Sequence, residues 1–380
     1  MIFYIMERLL ILKTQPKYKS QSIKVYIIGF RSLSGLKKFD IIGLGESCVD
    51  CLLRVSSESS SNQQPEILDW SIQGGGKVAT AIVAATRLGA KTSIMTKIGD
   101  DEAGDFVISD LKKYEVNIGP VVKEKGRQTE ICFIIVDEKT GNPKWVSYEV
   151  IEDWNLPKEI EYMIKLAKEQ KMKRFASKGF SEEYINHVCK GEVLHIDGFF
   201  PECLSAVEIA NKSNISTCYD LDTPLSQYIP RPCFDSSNGA LINSVFSNFL
   251  ANISFLIASK KAALKLTKEI DAKKIVENIL KYGPGGVVVT LGNEGSLLMT
   301  RTGTVIEQEA FSVPVIDTTG AGDVFHGAFC YGLLKKWSLK RIMQFSSAVS
   351  AIKCTRLGGR EGIPSLSDVE ILLNNVKKNN

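Results

Sequence analysis

The chain has 380 residues, of which 44% are hydrophobic, 24% charged and 8% aromatic, and its net charge is +4. That is globular material, enough for one large domain or two modest ones, and it excludes a disordered chain, a collagen and a small disulfide scaffold. The charge is uneven: residues 1–38 carry eight Lys/Arg against Glu7 alone, while the remainder is mildly acidic and offers no nucleic-acid footprint.

The basic head, residues 1–38, has the character of a transit peptide. An over-extended start or a floppy tail has it too, and these are the preferred readings. Its longest apolar run is too short for a membrane span. The uncharged stretch 236–259 contains ten Asn or Ser and reads as a buried or loop segment. The expectation is a cytoplasmic protein, or an imported one if residues 1–38 direct it to an organelle. Nine cysteines without regular spacing read as free thiols in a reducing compartment. Cys48 and Cys51 form a CxxC. They sit in an apparent strand, not at the helix start that a redox pair of that kind needs.

The organised part opens at residues 39–45 (FDIIGLG), a buried strand running into a turn. Exposed strands flank a polar loop within 48–76. Residues 77–89 read as a helix ended by Gly89. Strand 92–98 and helix 103–115 follow. Residues 129–136 and 144–151, separated by DEKTGNP, read as a hairpin. A charged helical patch covers 158–190. Then come strand 192–197, helix 202–213, strand 215–221, helix 271–282 with Asp271 as N-cap, and strand 286–291. Helices are expected at 322–336 and 338–354, with another near 367–377.

Strands alternating with helices imply parallel βαβ units and a three-layer α/β/α sandwich around a mostly parallel sheet. The strands near 48–72 and 129–151 break the alternation. They are expected to form a small separate sheet, a lid over a crevice at the strand C-terminal ends.

The sharpest chemical signal is Asp317-Thr-Thr-Gly-Ala-Gly-Asp323 feeding into an amphipathic helix. Glycines at a helix N-terminus let backbone N–H groups converge on an anion, aided by the helix dipole. A carboxylate at the mouth of such a hole, Asp323, is unwelcome beside phosphate unless it does chemistry, which points to a general base. The competing reading is a simple N-cap. Gly74-Gly75-Gly76-Lys77 opens another helix, but Ser71 and Val78 break the Walker A pattern. GLGESC (43–48) has Cys48 where a dinucleotide fingerprint needs its third glycine, which disfavours a nicotinamide-dependent dehydrogenase. Asp50 and the turn Thr290-Leu-Gly292-Asn-Glu-Gly295 are weaker signals. Of the histidines, His187, His195 and His326, none has Cys or His at ligand spacing, so His195-x-Asp197 reads as a structural strand end. Asp220-x-Asp222 could face substrate or metal.

In order, GLGESCVD (43–50), GGGKVATAIVAATRLGA (74–90), KIGDDEAG (97–104), VTLGNEGS (289–296), DTTGAGDVFHGAF (317–329) and CTRLGGREGIP (354–364) resemble the ribokinase, or phosphofructokinase-B, family of carbohydrate kinases. The resemblance spans roughly 39–366, within a single kinase domain expected over 39–380. It implies an ATP-dependent transfer of the γ-phosphate to a carbohydrate hydroxyl, with a ketohexose, a related sugar or a sugar acid as acceptor. By similarity, Asp323 is the base, and the N–H groups of Gly320, Ala321 and Gly322 steady the γ-phosphate. Asp50, Gly75, Gly76, Lys77 and Thr80 match the sugar site. Thr290, Gly292, Gly295 and Ser347 match the nucleotide site, and Asp317 and Thr319 match a monovalent-cation (K⁺) site. Mg²⁺ comes with ATP, and a homodimer through the lid edges is a family expectation. The chain departs from the family at Cys48 and Thr80, where others carry Asn. It departs again at Ser259 and Ala262, which stand in an Asn-x-x-Glu segment that helps organise Mg²⁺. A nucleoside kinase of the same fold and a non-catalytic sugar- or partner-binding relative are the alternatives.

Overall fold

The computed structural model describes residues 37–57, 64–169, 181–221 and 245–379. The basic extension up to residue 36, residues 58–63 and residues 222–244, with Asp222, lie outside the described residues.

The main sheet is built from β1 (Ile41–Leu44), β4 (Thr92–Met95), β9 (Val193–Asp197), β10 (Ser216–Asp220), β11 (Phe255–Ser259), β12 (Gly286–Thr290), β13 (Ser296–Thr300) and β14 (Val305–Gln308). Its order is β14-β13-β12-β11-β10-β9-β1-β4. The six strands from β12 to β4 run parallel, and β13 and β14 add an antiparallel edge. The parallel strands are short apolar runs buried on both faces, so successive residues feed opposite layers. Ile41, Val193, Cys218, Ile257 and Val288 pack with helices α1 (Lys77–Arg87), α7 (Ala321–Leu334) and α8 (Leu339–Lys353). Their neighbours Ile42, Leu194, Tyr219, Leu256 and Val287 pack with α4 (Pro201–Lys212), α6 (Ala272–Leu280) and a helix over 245–251. The three-layer α/β/α sandwich follows from that alternation.

A second sheet, order β3-β2-β7-β8, joins β2 (Cys48–Val55), β3 (Ile67–Gly75), β7 (Ile131–Asp137) and β8 (Pro143–Val146). β2 pairs antiparallel with β3 and parallel with β7, and β7–β8 is a hairpin. The hairpin's second arm stops at Val146, and a 3₁₀ turn over Tyr148–Val150 takes up the rest of the expected strand 144–151. The expected strand 92–98 divides in two. After Met95 the chain leaves the main sheet, and β5 (Lys97–Gly99) pairs instead with β6 (Val122–Glu124). The charged patch 158–190 is helical as α3 (Lys158–Glu169) and again from Glu182; residues 170–180 lie outside the described residues.

Helix ends follow local chemistry. Asp271 caps α6 by accepting from the Lys274 N–H at 2.9 Å. Gly89 ends α1 in the left-handed region, φ 97°. Among the described residues, no helix is long and apolar enough to cross a membrane.

Candidate active site

The turn Asp317–Gly320 enters α7 at the C-terminal edge of the main sheet. Asp317 is fully buried and its carboxylate accepts three protein hydrogen bonds. Oδ1 accepts from the Thr319 N–H at 2.8 Å and the Thr319 hydroxyl at 2.7 Å, and Oδ2 accepts from the Gly358 N–H at 2.6 Å. The Lys353 ammonium, also fully buried, donates to the Asp317 carbonyl oxygen at 2.9 Å. Burial lowers the Lys353 pKa, and Asp317 opposes that fall. These bonds set the turn so that Gly320, φ 71°, becomes the N-cap of α7. The Ala321 N–H is spent inside the turn, donating to the Thr318 carbonyl at 3.1 Å. A Cβ on Gly322 would meet nothing within 4 Å, so the chain at Gly322 borders open space. Asp323 follows one residue later, in the first turn of α7.

The glycine-rich start of α1 sits beside this turn because α1 and α7 pack without intervening side chains. A Cβ on Gly327 would lie 2.2 Å from the Ala81 carbonyl oxygen. A Cβ on Gly320 would lie 2.8 Å from the Gly359 Cα and 3.5 Å from the Thr80 Cγ2. Thus Thr80, Gly320 and Gly359 meet at one point. Gly76 (φ 89°) turns β3 into α1, and a Cβ on Gly75 would fall 2.2 Å from Asp50 Oδ1. Asp50 is buried and accepts from the Cys48 thiol at 3.4 Å. Burial raises its carboxyl from 3.8 to about 6, against the opposing pull of Cys48 and Arg360. Lys77 stands at the first position of α1, 3.8 Å from Glu46.

Thr290 ends β12 beside Ser259 of β11. The following turn needs glycine at 295, where φ is 96° and a Cβ would meet the Gln308 carbonyl oxygen at 2.0 Å. Gly292 (φ 65°) faces open space. Ser347 lies buried on α8. Ser259 caps α5 (Lys260–Thr267), accepting from the Ala262 N–H at 3.2 Å, and Ala262 is buried. The positions of the missing Asn-x-x-Glu therefore hold a helix cap and an apolar contact.

Arg360 is fully buried and ties the glycine loop 74–76 to the C-terminal segment, although the sequence alone does not single it out. Its N–H donates to Gln73 Oε1 at 2.7 Å and its guanidinium to the Gly75 carbonyl at 3.0 Å and to Asp110 on α2 (Glu102–Lys113). The block CTRLGGREGIP was the signal that could have found it. Lys353 had no such signal. The β7–β8 turn also reaches the site, for the Thr318 N–H donates to the Gly141 carbonyl at 2.9 Å. Cys48 and Cys51 do not pair: their spacing in β2 sends them to opposite faces, and the Cys48 thiol lies 3.9 Å from that of Cys132. Asp197 accepts from the Glu46 N–H at 3.2 Å, which pins the β1–β2 turn.

A model of the pfkB family of carbohydrate kinases matches residues 38–366. The chain belongs to that family. The enzyme is a carbohydrate kinase, and the resemblance carried by the six sequence blocks holds. It is 23% identical over 347 residues to a 5-dehydro-2-deoxygluconokinase of Listeria innocua, covering 89% of this kinase and 97% of the relative. Solved structures share the fold. Arabidopsis thaliana ribokinase, complexed with ribose and ATP, superposes with a TM-score of 0.64 at 18% identity over 88% of this chain and 98% of that one. Thermotoga maritima ribokinase gives 0.61 at 22% identity over 89% and 100%.

Proposed function

We propose that this kinase transfers the γ-phosphate of Mg-ATP to a hydroxyl of a sugar acid or a closely related keto sugar, with Asp323 as the general base. The observation that carries the reading is the meeting of Thr80, Gly320 and Gly359, which brings the glycine-rich turn at the start of α7 against the start of α1. Phosphoryl transfer asks the protein for positioning and charge stabilisation more than for covalent chemistry. Gly320 and Gly322 bring N–H groups and the positive end of α7 to the transferring phosphate. Asp50 accepts hydrogen bonds from acceptor hydroxyls, and Gly75 and Gly76 let the acceptor approach the backbone. Lys77 supplies the positive charge that an acidic acceptor needs, which agrees with the name of the Listeria relative. Thr290, Gly292, Gly295 and Ser347 line the nucleotide side. The four-stranded sheet closes the crevice against water, and its exposed Trp70 and Trp145 suit pairing with a second copy.

Mg²⁺ fits as an ion held by the nucleotide, since Ser259 is engaged as a cap and Ala262 offers no donor oxygen. When bound it neutralises phosphate charge. A monovalent cation fits less well at Asp317 and Thr319. The carboxylate already accepts from three protein donors, and the Lys353 ammonium lies on the same turn.

The test is ADP release from Mg-ATP with a panel of sugar acids, ketoses, aldoses, polyols and nucleosides. A sugar acid should give the highest kcat/KM. A nucleoside as the preferred acceptor would replace this reading with that of a nucleoside kinase. Failure of every acceptor in a folded, ATP-binding protein would favour a non-catalytic relative.

A further inference from the structure

His195 and Cys218 are direct neighbours across the parallel ladder of β9 and β10, so their side chains leave the sheet on one face. That face packs on α7, where His326 and Cys330 stand four residues apart and share one side of the helix. All four residues are buried. The donor atoms of His195, Cys218 and His326 lie within 4.8 Å of one another. Cys330, outside that trio, neighbours Cys218 and His195. The imidazole rings are 5.3 Å apart between centroids.

His195 is held through one nitrogen, His326 lies beside a carboxylate, and each ring has a second, buried nitrogen. His195 Nδ1 lies 3.2 Å from the Cys218 carbonyl oxygen, and His326 Nε2 lies 3.9 Å from Asp220 Oδ1. His195 Nε2 and His326 Nδ1 are buried without a hydrogen-bond partner. A buried polar atom left unpartnered is costly. A ring anchored by a carbonyl with its far nitrogen open, as His195 is, is the arrangement of a metal-ligating histidine.

We propose that His195, Cys218, His326 and Cys330 form a buried tetrahedral site for a thiophilic divalent cation, zinc above all. Two thiols and two imidazoles are the donor set of structural zinc sites. Binding releases the two thiol protons to solvent, and two thiolates balance the double charge, so the filled site is neutral and tolerates burial. Metal–donor distances of about 2.0–2.3 Å put the donors roughly 3.3–3.8 Å apart. Filling the site requires the donors to draw together from the present separation of up to 4.8 Å. The ion would staple α7 to β9 and β10 one turn beyond Asp323, outside the crevice where the phosphate is transferred.

The sequence concealed this site because its ligands come from three separate elements. His195 and Cys218 are brought together by strand pairing, and the His326–Cys330 pair faces them only after α7 packs on the sheet.

The full chain, purified under reducing conditions without chelator, should carry about one zinc per chain by elemental analysis. After chelation, added Co²⁺ should give thiolate-to-cobalt charge transfer and the strong visible bands of a tetrahedral ion. Cys218→Ser combined with Cys330→Ser should lower metal content at least ~10-fold. His326→Gln, which keeps both thiols, should weaken Co²⁺ affinity with the far-UV spectrum unchanged. Three results would each overturn the proposal. One is a Cys218–Cys330 disulfide in the freshly isolated protein. Another is failure of the parent to take up zinc or cobalt. The third is a cobalt band that survives the double substitution, which would put the ion on other thiols such as Cys48 and Cys132.

Discussion

Gly75 lies so close to Asp50 that a Cβ on the glycine would fall 2.2 Å from the carboxylate oxygen Oδ1. The glycine loop and the buried acid are thus one unit, and Gly75→Ala must displace the carboxylate. Acceptor KM should rise at least ~10-fold, with ATP binding little changed, as expected where a polar group in the site loses its partner. Steady-state kinetics with each substrate varied in turn decides this.

The raised Asp50 pKa sets a pH dependence. Burial lifts the carboxyl from 3.8 to about 6, so the folded protein holds a proton in that window that the unfolded chain has released. Ionisation therefore costs stability as pH rises from about 4 to 6. Acceptor binding by the carboxylate needs the ionised form, so kcat/KM for the acceptor should fall as pH drops below about 6. Asp50→Asn should raise Tm at pH 7, with a smaller gain near pH 4, while acceptor turnover collapses. Thermal melts at the two pH values, run beside a pH–rate profile, test both signs.

Arg360, fully enclosed, pairs with the partly buried Asp110. Removing one partner leaves an uncompensated charge, so Arg360→Ala should destabilise the fold by about 3–5 kcal/mol. The loss should fall on the acceptor loop first, because the guanidinium also holds the Gly75 carbonyl. Denaturant unfolding of Arg360→Ala, Asp110→Asn and the double variant would show whether the two energies couple.

The Lys353 ammonium on the Asp317 carbonyl already supplies positive charge at the turn where a monovalent cation would act. Exchanging K⁺ for Na⁺ or a bulky organic cation at constant ionic strength should change kcat less than about twofold, since the local charge is built in. A large K⁺ activation in the parent would contradict this. Lys353→Met should cost activity, and K⁺ should restore part of it.

The layered architecture was legible because each parallel strand is a short apolar run and apolar helices alternate with the strands. α7, expected from spacing to show one apolar face, is in fact buried on all sides between its neighbours, as is α1. Gly89 and Asp271 marked helix ends for reasons of backbone conformation and capping that hold locally. What pattern could not reveal is pairing. β5 leaves the main sheet for β6, and β2 lies parallel to β7, through contacts remote in sequence. The site divides the same way. The turn 317–323 and the glycines 74–76 announced themselves by composition. Arg360 and Lys353 did not, because a buried cation is recognised only by the carbonyls and carboxylates that the fold folds around it. His195 read as a strand end for the same reason, its neighbours lying on other elements.

Asp323 carries the central claim. Asp323→Asn keeps the size of the side chain and the helix start but removes the base. The decisive measurement is single-turnover phosphoryl transfer to the preferred acceptor, with ATP and acceptor binding measured in parallel. The account predicts a fall of at least ~100-fold in the transfer rate with both affinities within about threefold of the parent, the signature of a group that acts on the proton in flight. Transfer that proceeds at near the parental rate in Asp323→Asn would contradict it.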